Sequence, residues 1–140
     1  MPQIPTDPSD GRKLLQRGLR LFLLGLLTGF AVPATANPRM ALSSHLEGLM
    51  NGTFLVLLGL IWPRLELGRR SRAGAAGLAY YGTFTNWGTT LLAAFWGAGE
   101  GMMPIAGAGH QGSAIQEGLI AFGLLSLSLS MLLVCGFVLW

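Results

Sequence analysis

Residues 45–62 read HLEGLMNGTFLVLLGLIW, a polar beginning followed by an apolar run that stops at Pro63. A helix of about 20 mostly apolar residues is long enough to cross a bilayer. His45, Glu47 and Asn51 lie at the front of this run, where polar side chains are expensive and are usually functional. The stretch therefore predicts a membrane-spanning helix that carries a candidate site.

The composition extends this prediction to the rest of the chain. Of the 140 residues, 51% are hydrophobic and 11% are charged, whereas a soluble domain has about a quarter charged residues. We therefore predict an all-α integral membrane protein, a bundle of four transmembrane helices formed by residues 12–140. Residues 1–11 are polar and proline-rich, so we expect a flexible tail there. The predicted spans are about 13–34, 41–62, 73–98 and 115–140.

The basic residues are distributed unevenly between the predicted loops. Arg39 alone lies between the first two spans. The others flank the N-terminus or separate the second and third spans: Arg12, Lys13, Arg17, Arg20, Arg64, Arg69, Arg70 and Arg72. Because basic residues collect on the cytoplasmic side of a membrane, this pattern predicts that both termini are cytoplasmic. It also accounts for the net charge of +3 without a nucleic-acid partner.

Helix geometry groups the histidine with a stripe of glycines. At about 100° per residue, Gly48, Gly52 and Gly59 fall within roughly 60° of His45. Such a stripe either lets two helices pack closely or makes room for a flat ligand beside the imidazole. Both interpretations are open at this point.

Other polar side chains lie on neighbouring faces of the second and third spans. Asn51 shares a face with Glu47, while Tyr81 and Asn86 project from different faces of the third span. An apolar cavity with a few polar anchors is the usual form of a small-molecule site. We therefore expect Asn51, Tyr81 and Asn86 to be candidates for such a site.

The histidines limit the metal chemistry that is open to the chain. Zinc takes three or four His, Cys or carboxylate ligands, but only two histidines and one cysteine are present. Haem needs only one protein ligand because the porphyrin supplies four nitrogens. A haem held by His45 alone has an open position, whereas a haem held by both His45 and His110 would be an electron carrier.

Three segments of the chain resemble a known family. They are NPRMALSSHLEGLMNGTFLVLLGLIW at 37–62, YGTFTNW at 81–87 and PIAGAGHQG at 104–112. These segments are similar to bacterial hydroxylaminobenzene mutases and, more distantly, to styrene oxide isomerase. The pattern shared with the isomerase is a histidine followed six residues later by an asparagine, here His45 and Asn51.

The resemblance implies a reaction, a cofactor and an assembly. Hydroxylaminobenzene mutases convert N-phenylhydroxylamine to 2-aminophenol, and styrene oxide isomerases open an aryl epoxide to an aldehyde. It also implies a homotrimer in the bacterial inner membrane that takes small aromatic substrates. Haem b (iron) would lie between protomers, with ferric iron as a Lewis acid. No redox partner is expected, because neither rearrangement is a net oxidation.

The resemblance also implies roles for individual residues. His45 would be the metal ligand, with Gly48 and Gly52 leaving clearance for the macrocycle. Asn51 would orient the substrate, and Tyr81 is the best match to the active tyrosine of the isomerase, with Tyr80 adjacent. Asn86 is a further catalytic candidate. Arg39 would pair with a haem propionate, or would face lipid headgroups instead. Roles for Glu47, Glu117 and His110 stay open.

Other functions remain compatible with four polar-lined spans. The chain could be a styrene-oxide-isomerase-like enzyme, a b-type cytochrome, a small transporter or channel component, or a structural membrane protein. A visible spectrum and assays with the two aryl substrates separate these alternatives.

Overall fold

The computed structural model describes residues 8–139, which are almost entirely helical. Four long helices and one single-turn helix follow each other along the chain: α1 (Pro8–Ala31), α2 (Pro38–Ile61), α3 (Arg69–Trp96), α4 (Pro104–Gly107) and α5 (Ala114–Leu139). The long helices match the four predicted spans within a few residues. The predicted flexible tail needs correction, because α1 already begins at Pro8; residues 1–7 of that tail lie outside the described residues.

Local sequence signals explain the ends of the central helices. Asn37 caps α2 by accepting hydrogen bonds from the backbone N–H groups of Arg39 and Met40, while Pro38 occupies the first helical turn. Pro63 lacks the N–H that a continuing helix requires, so α2 gives way to a single 3-10 turn. Gly97 ends α3 in the left-handed conformation with φ of 60°.

Three of the long helices are long and apolar enough to cross a membrane: Asp10–Ala34, Pro38–Arg64 and Ala114–Leu139. Large apolar side chains are exposed along them, including Phe30 and Leu132. Such exposure is costly in water and favourable in lipid, so the chain is a membrane protein. Helix α3 has 28 residues, about 42 Å of rise, but its threonine, tyrosine and asparagine side chains lower its hydropathy. A crossing by α3 stays a prediction.

The four long helices form a row rather than a closed bundle. Helix α1 packs on α2, α2 on α3, and α3 on α5. Within residues 8–139, α5 contacts neither α1 nor α2. The prediction of a bundle is therefore corrected to an open layer of helices, in which one side of α2 and of α3 faces outward.

The tightest contact in this layer is a glycine seam between α1 and α2. Its members are spaced at four or seven residues and therefore share one face of each helix: Gly11, Gly18 and Gly25 of α1 and Gly48, Gly52 and Gly59 of α2. A Cβ atom added at Gly48 would lie 2.5 Å from the Cα of Gly25. One added at Gly52 would lie 2.6 Å from the backbone nitrogen of Phe22. The backbones approach this closely because the glycines have no side chains at the points of contact.

The antiparallel packing of α1 and α2 gathers the basic residues at one end of the layer. Gly11 at the start of α1 lies against Gly59 near the end of α2. The Arg17 guanidinium stacks over the Tyr80 ring at 4.0 Å, which ties α1 to the first half of α3. Arg72 donates to backbone carbonyls of the α2–α3 connection. The predicted cytoplasmic orientation of this end remains a prediction.

Asn37 holds the opposite end together and supports a stability prediction. Its amide nitrogen donates to the carbonyls of Ala106 and Gly107 at 3.0 and 2.9 Å, and its backbone N–H donates to Ala94 at 3.0 Å. The residue is 1% exposed. We expect Asn37→Ala to lower the free energy of unfolding by about 2–4 kcal/mol, because the helix cap and the partners of two carbonyls are lost together.

Unfolding of the detergent-solubilised protein, followed by circular dichroism, checks this prediction. Ser43→Ala is the matched control, because the Ser43 hydroxyl bonds only to the carbonyl of Arg39 in its own helix. Equal stability of the two variants would contradict a structural role for Asn37.

Candidate functional site

The imidazole of His45 packs against α1, and its hydrogen bond to α1 indicates which ring nitrogen stays available to a ligand. Its Nδ1 atom lies 2.7 Å from the carbonyl oxygen of Gly25. A carbonyl only accepts, so in the neutral imidazole the Nδ1 atom is the one that carries the hydrogen, and Nε2 has the lone pair. Gly29 provides the space for the ring, since a Cβ atom there would lie 3.0 Å from Nδ1. An imidazole held by a carbonyl at one nitrogen and free at the other is the usual form of a histidine metal ligand.

The single histidine at this position suits a haem better than a bare metal ion by its number of ligands alone. Among the residues that the structure describes, no three His, Cys, Asp or Glu side chains come together as a metal site. One half-buried imidazole with a free Nε2 is nevertheless sufficient for haem, which brings its own four nitrogens. The donor chemistry of His45 therefore fits the axial ligand of a haem.

Glu47, Asn51 and Asn86 form a polar cluster between α2 and α3, here called the carboxamide cluster. The Asn51 amide nitrogen donates to the Glu47 Oε2 atom at 3.2 Å, and the Asn86 amide nitrogen donates to the same oxygen. All three side chains are partly exposed. The structure thus brings together two predicted site residues, Asn51 and Asn86, through a glutamate whose role the sequence left open.

His45 and the carboxamide cluster lie on opposite sides of α2. On a helix, Glu47 is displaced from His45 by roughly 160° and Asn51 by roughly 120°. The contacts agree, because His45 bonds to α1 while Glu47 bonds to α3. Exposed apolar side chains, among them Leu42, Leu46 and Met50, occupy the face of α2 between them. In one chain, the histidine and the asparagines therefore do not line a common cavity.

The clearance predicted at Gly48 and Gly52 is filled by helix α1. Both glycines are buried in the glycine seam, and added Cβ atoms would collide with the backbones of Gly25 and Phe22. The interpretation of these glycines as room for a macrocycle is therefore corrected. The alternative that the stripe lets two helices pack closely is the one that the structure supports.

Tyr81 is separated from the other candidates. Its hydroxyl lies 2.7 Å from the Ser126 hydroxyl of α5, and its side chain is 44% exposed. Tyr80 points instead toward α1, where Arg17 covers its ring. Neither tyrosine has a hydrogen bond to the carboxamide cluster or to His45 within residues 8–139. The structure places Tyr81 on the α3–α5 side of the layer.

Arg39 lines an open groove where α2 begins. The groove has a volume of about 450 Å³. Its walls come from the first turns of α2 and from the segment around α4: Arg39, Leu42, Ser43, Leu46, Met102, Met103, Pro104, Ile105 and Ala106. Apart from Arg39 and Ser43 the lining is apolar, so the groove suits an apolar group that ends in an anion. The predicted partner of Arg39, a haem propionate, is consistent with this chemistry and stays a prediction.

The acidic residues near the α3–α5 connection brace its glycine-rich loop. Glu117 accepts hydrogen bonds from the backbone N–H groups of Gly99 and Gly112 at 2.7 and 2.9 Å. Glu100 accepts from Gly109 at 2.8 Å. His110 is exposed on this loop, with its Nδ1 atom 3.0 Å from the Gly107 carbonyl. Glu117 and Glu100 therefore have a structural role in this loop, which the sequence left open for Glu117.

Trp87 is a structural residue that connects the helices around His45. Its indole N–H donates to the Thr28 hydroxyl of α1 at 3.0 Å, and its carbonyl accepts from the Ser44 hydroxyl of α2 at the same distance. This tryptophan thereby joins three helices next to the seat of His45. The signal that could have located it was a tryptophan far from any predicted membrane interface.

Comparison with known proteins places this arrangement in a family. Residues 10–140 match the family model of styrene oxide isomerase. The chain belongs to the styrene oxide isomerase family. No solved structure matches the chain.

Two relatives, both from one bacterial species, indicate which activity within the family this chain resembles. The chain is 64% identical over 135 residues to hydroxylaminobenzene mutase HabB of Ectopseudomonas oleovorans. This alignment covers 96% of this chain and 82% of the relative. It is 46% identical over 114 residues to hydroxylaminobenzene mutase HabA of the same species. That alignment covers 81% of this chain and 84% of the relative. The predicted resemblance is confirmed, and this member of the styrene oxide isomerase family is an isomerase of the mutase type.

Proposed function

We propose that this protein rearranges aryl hydroxylamines, such as N-phenylhydroxylamine, to 2-aminophenols. The observation that carries this proposal is the 64% identity to hydroxylaminobenzene mutase HabB across nearly the whole chain. Substrate and product contain the same atoms, because the oxygen moves from nitrogen to the ortho carbon. The reaction involves no net oxidation, so it requires no redox partner.

A second candidate is the rearrangement of aryl epoxides to aldehydes. The match of residues 10–140 to the styrene oxide isomerase model favours it. The two reactions share one difficulty, since an N–O or C–O bond must loosen while positive charge develops beside an aryl ring. A site that assists one of them therefore has much of what the other requires.

We propose that His45 binds haem b through its free Nε2 atom. The Gly25 carbonyl supports this role because it holds the proton on Nδ1 and orients the ring. When bound, ferric haem supplies Lewis acidity toward the substrate oxygen, which is worth several kcal/mol to a breaking bond. Arg39, at the mouth of the apolar groove, is the candidate partner for a propionate.

The protein's own contribution is positioning and the exclusion of water. Asn51 and Asn86 offer neutral hydrogen-bonding groups that orient a polar substrate without adding a fixed charge. The exposed faces of α1, α2 and α5 are apolar, so the surrounding lipid keeps water away from a reactive cation. Apolar aromatic substrates also reach such a site directly from the bilayer.

We propose that the working unit is a homotrimer in the bacterial inner membrane, with both termini in the cytoplasm. The position of His45 and the carboxamide cluster on opposite sides of α2 supports association of copies, and the number three is what the resemblance implies. If both act on one substrate, a neighbouring copy has to bring them together across the exposed face of Leu42, Leu46 and Met50. The clustered basic residues at one end of the layer support the orientation.

The visible spectrum and two substrate assays test this proposal. We expect the purified protein to show a Soret band with one axial histidine, and to convert N-phenylhydroxylamine to 2-aminophenol at least about a hundredfold faster than free haemin. Chromatographic quantification of 2-aminophenol measures the rate. Rearrangement of styrene oxide alone would favour the second candidate.

Other results of the same experiment would contradict the proposal. Protein supplied with haem that shows no Soret band would rule out the cofactor. A low-spin spectrum with two histidine ligands that is lost in His110→Ala would identify a b-type cytochrome. Failure to rearrange either substrate faster than free haemin would rule out the reaction.

A further inference from the structure

In the carboxamide cluster, the central Glu47 determines how the two asparagine amides are oriented. The Asn51 and Asn86 amide nitrogens both donate to one atom, Oε2 of Glu47. A carboxylate oxygen only accepts hydrogen bonds, so each asparagine must turn its NH₂ group toward Glu47. The carbonyl oxygen of each carboxamide is then directed away from the glutamate.

The second carboxylate oxygen of Glu47, Oε1, has no hydrogen bond to another residue within the described range 8–139. Both amide groups therefore depend on one acceptor atom, Oε2, for their orientation.

The two carbonyl oxygens are available to a ligand. Among the hydrogen bonds of residues 8–139, neither the Asn51 nor the Asn86 carbonyl oxygen accepts one. Both side chains are partly exposed, and α5 does not cover the α2 side of the cluster. A molecule beside α2 and α3 consequently meets two carbonyl acceptors, while each amide keeps one further N–H that does not bond to Glu47.

We propose that Glu47 is a positioning residue that makes the site select aromatic substrates bearing N–H and O–H donors over aryl epoxides. This inference rests on the proposed function and specifies its substrate class. An aryl hydroxylamine has one N–H and one O–H, and its 2-aminophenol product has donors on adjacent carbons. An epoxide has only an acceptor oxygen, so it leaves both carbonyl oxygens without a hydrogen bond and can use only the amide N–H groups that do not bond to Glu47. Sites built to hydrogen-bond a substrate group discriminate strongly against analogues that lack it.

Ligand binding separates this proposal from the reaction itself. The probes are 2-aminophenol and its fully methylated analogue, 2-methoxy-N,N-dimethylaniline, which keeps the aromatic ring but has no donors. Equilibrium dialysis against the haem-loaded wild-type protein in nanodiscs measures both dissociation constants. We expect 2-aminophenol to bind at least about tenfold more tightly than the methylated analogue, a modest value because the cluster is partly exposed.

Three variants then test the role of Glu47. Glu47→Ala should abolish the preference, because the asparagines lose the acceptor that orients them. Glu47→Gln should keep it within about threefold, because a glutamine Oε1 atom still accepts from both amides. Glu66→Ala changes an exposed glutamate in the α2–α3 connection and should leave the preference unchanged. If Glu47→Ala does not fold, Asn86→Leu should reduce the preference by removing one of the two carbonyls.

The binding experiment and the rearrangement assay can fail independently, so failure of the inference is distinguishable from failure of the proposed reaction. Equal binding of the two probes by the wild type, or a preference retained in Glu47→Ala, would overturn the inference. Loss of the preference in Glu47→Gln would show that charge, and not the oriented carbonyls, selects the ligand, and would also overturn it. A donor preference in a protein that fails to rearrange N-phenylhydroxylamine would support the inference and reject the reaction.

Discussion

His45→Ala is expected to abolish the rearrangement of N-phenylhydroxylamine and the Soret absorbance of the purified protein together. The proposed Lewis acid is worth several kcal/mol, and each 1.36 kcal/mol corresponds to a factor of ten in rate. We therefore expect the rate to fall by roughly a thousandfold or more. Chromatographic quantification of 2-aminophenol, together with a haem assay on the same sample, measures both effects.

His110→Ala is the matched control for this prediction. His110 lies on the exposed loop before α5 and bonds to the Gly107 carbonyl, so its removal should change the rate less than about threefold. Added imidazole should partly restore the haem spectrum of His45→Gly, because the seat formed by Gly25 and Gly29 remains. Retention of haem and activity in His45→Ala would refute the assignment of His45 as the ligand.

The helices of this protein were largely predictable from its sequence, because prolines and apolar runs act locally. Pro63 follows the end of α2 where the sequence predicted the second span to stop, and α2 begins at Pro38, three residues before the predicted start. The row-like arrangement of the helices was not predictable. Hydrophobic periodicity identifies which face of a helix is buried, but in lipid almost every face is apolar, so the pattern does not identify the neighbour.

The glycine seam shows how the site was only partly predictable. Helix geometry correctly placed Gly48 and Gly52 on the face of His45, but it could not say what occupies that face. The signal was present in α1, where Gly11, Gly18 and Gly25 repeat every seven residues and mark a second smooth face. Two such stripes in consecutive antiparallel helices indicate contact between them, with no room for a ligand.

The carboxamide cluster required tertiary information. Glu47 and Asn51 are one helical turn apart, so their contact follows from the sequence. Asn86 lies 39 residues beyond Glu47, and only the packing of α2 on α3 brings it to the same carboxylate oxygen. A polar partner from another helix cannot be identified from hydrophobic periodicity, because one asparagine in a helix occurs in many structural contexts.

Gly48→Ala is expected to have the second large effect, on stability and on the seat of His45. The added Cβ atom would lie 2.5 Å from the Cα of Gly25, and backbone atoms cannot move aside by rotating a side chain. Overpacking of this kind costs about 1–3 kcal/mol. Because Gly25 also accepts the hydrogen bond from His45, a displaced α1 should weaken haem binding as well. Unfolding in detergent and haem titration measure the two effects.

Two alanine substitutions at other glycines separate these effects. Gly59→Ala collides with the Gly11 carbonyl oxygen at 2.7 Å, so it should destabilise the same seam, but far from His45. Gly77→Ala in α3 meets no atom within 4 Å and should be neutral or slightly stabilising, because alanine favours helix. If both seam variants lose stability, the seam holds the two helices together along its length. If only Gly48→Ala also weakens haem binding, the seam supports the imidazole only near Gly25. Haem binding weakened equally by Gly59→Ala would instead mean that His45 depends on the whole seam, and a stable Gly48→Ala would contradict the close contact of α1 and α2.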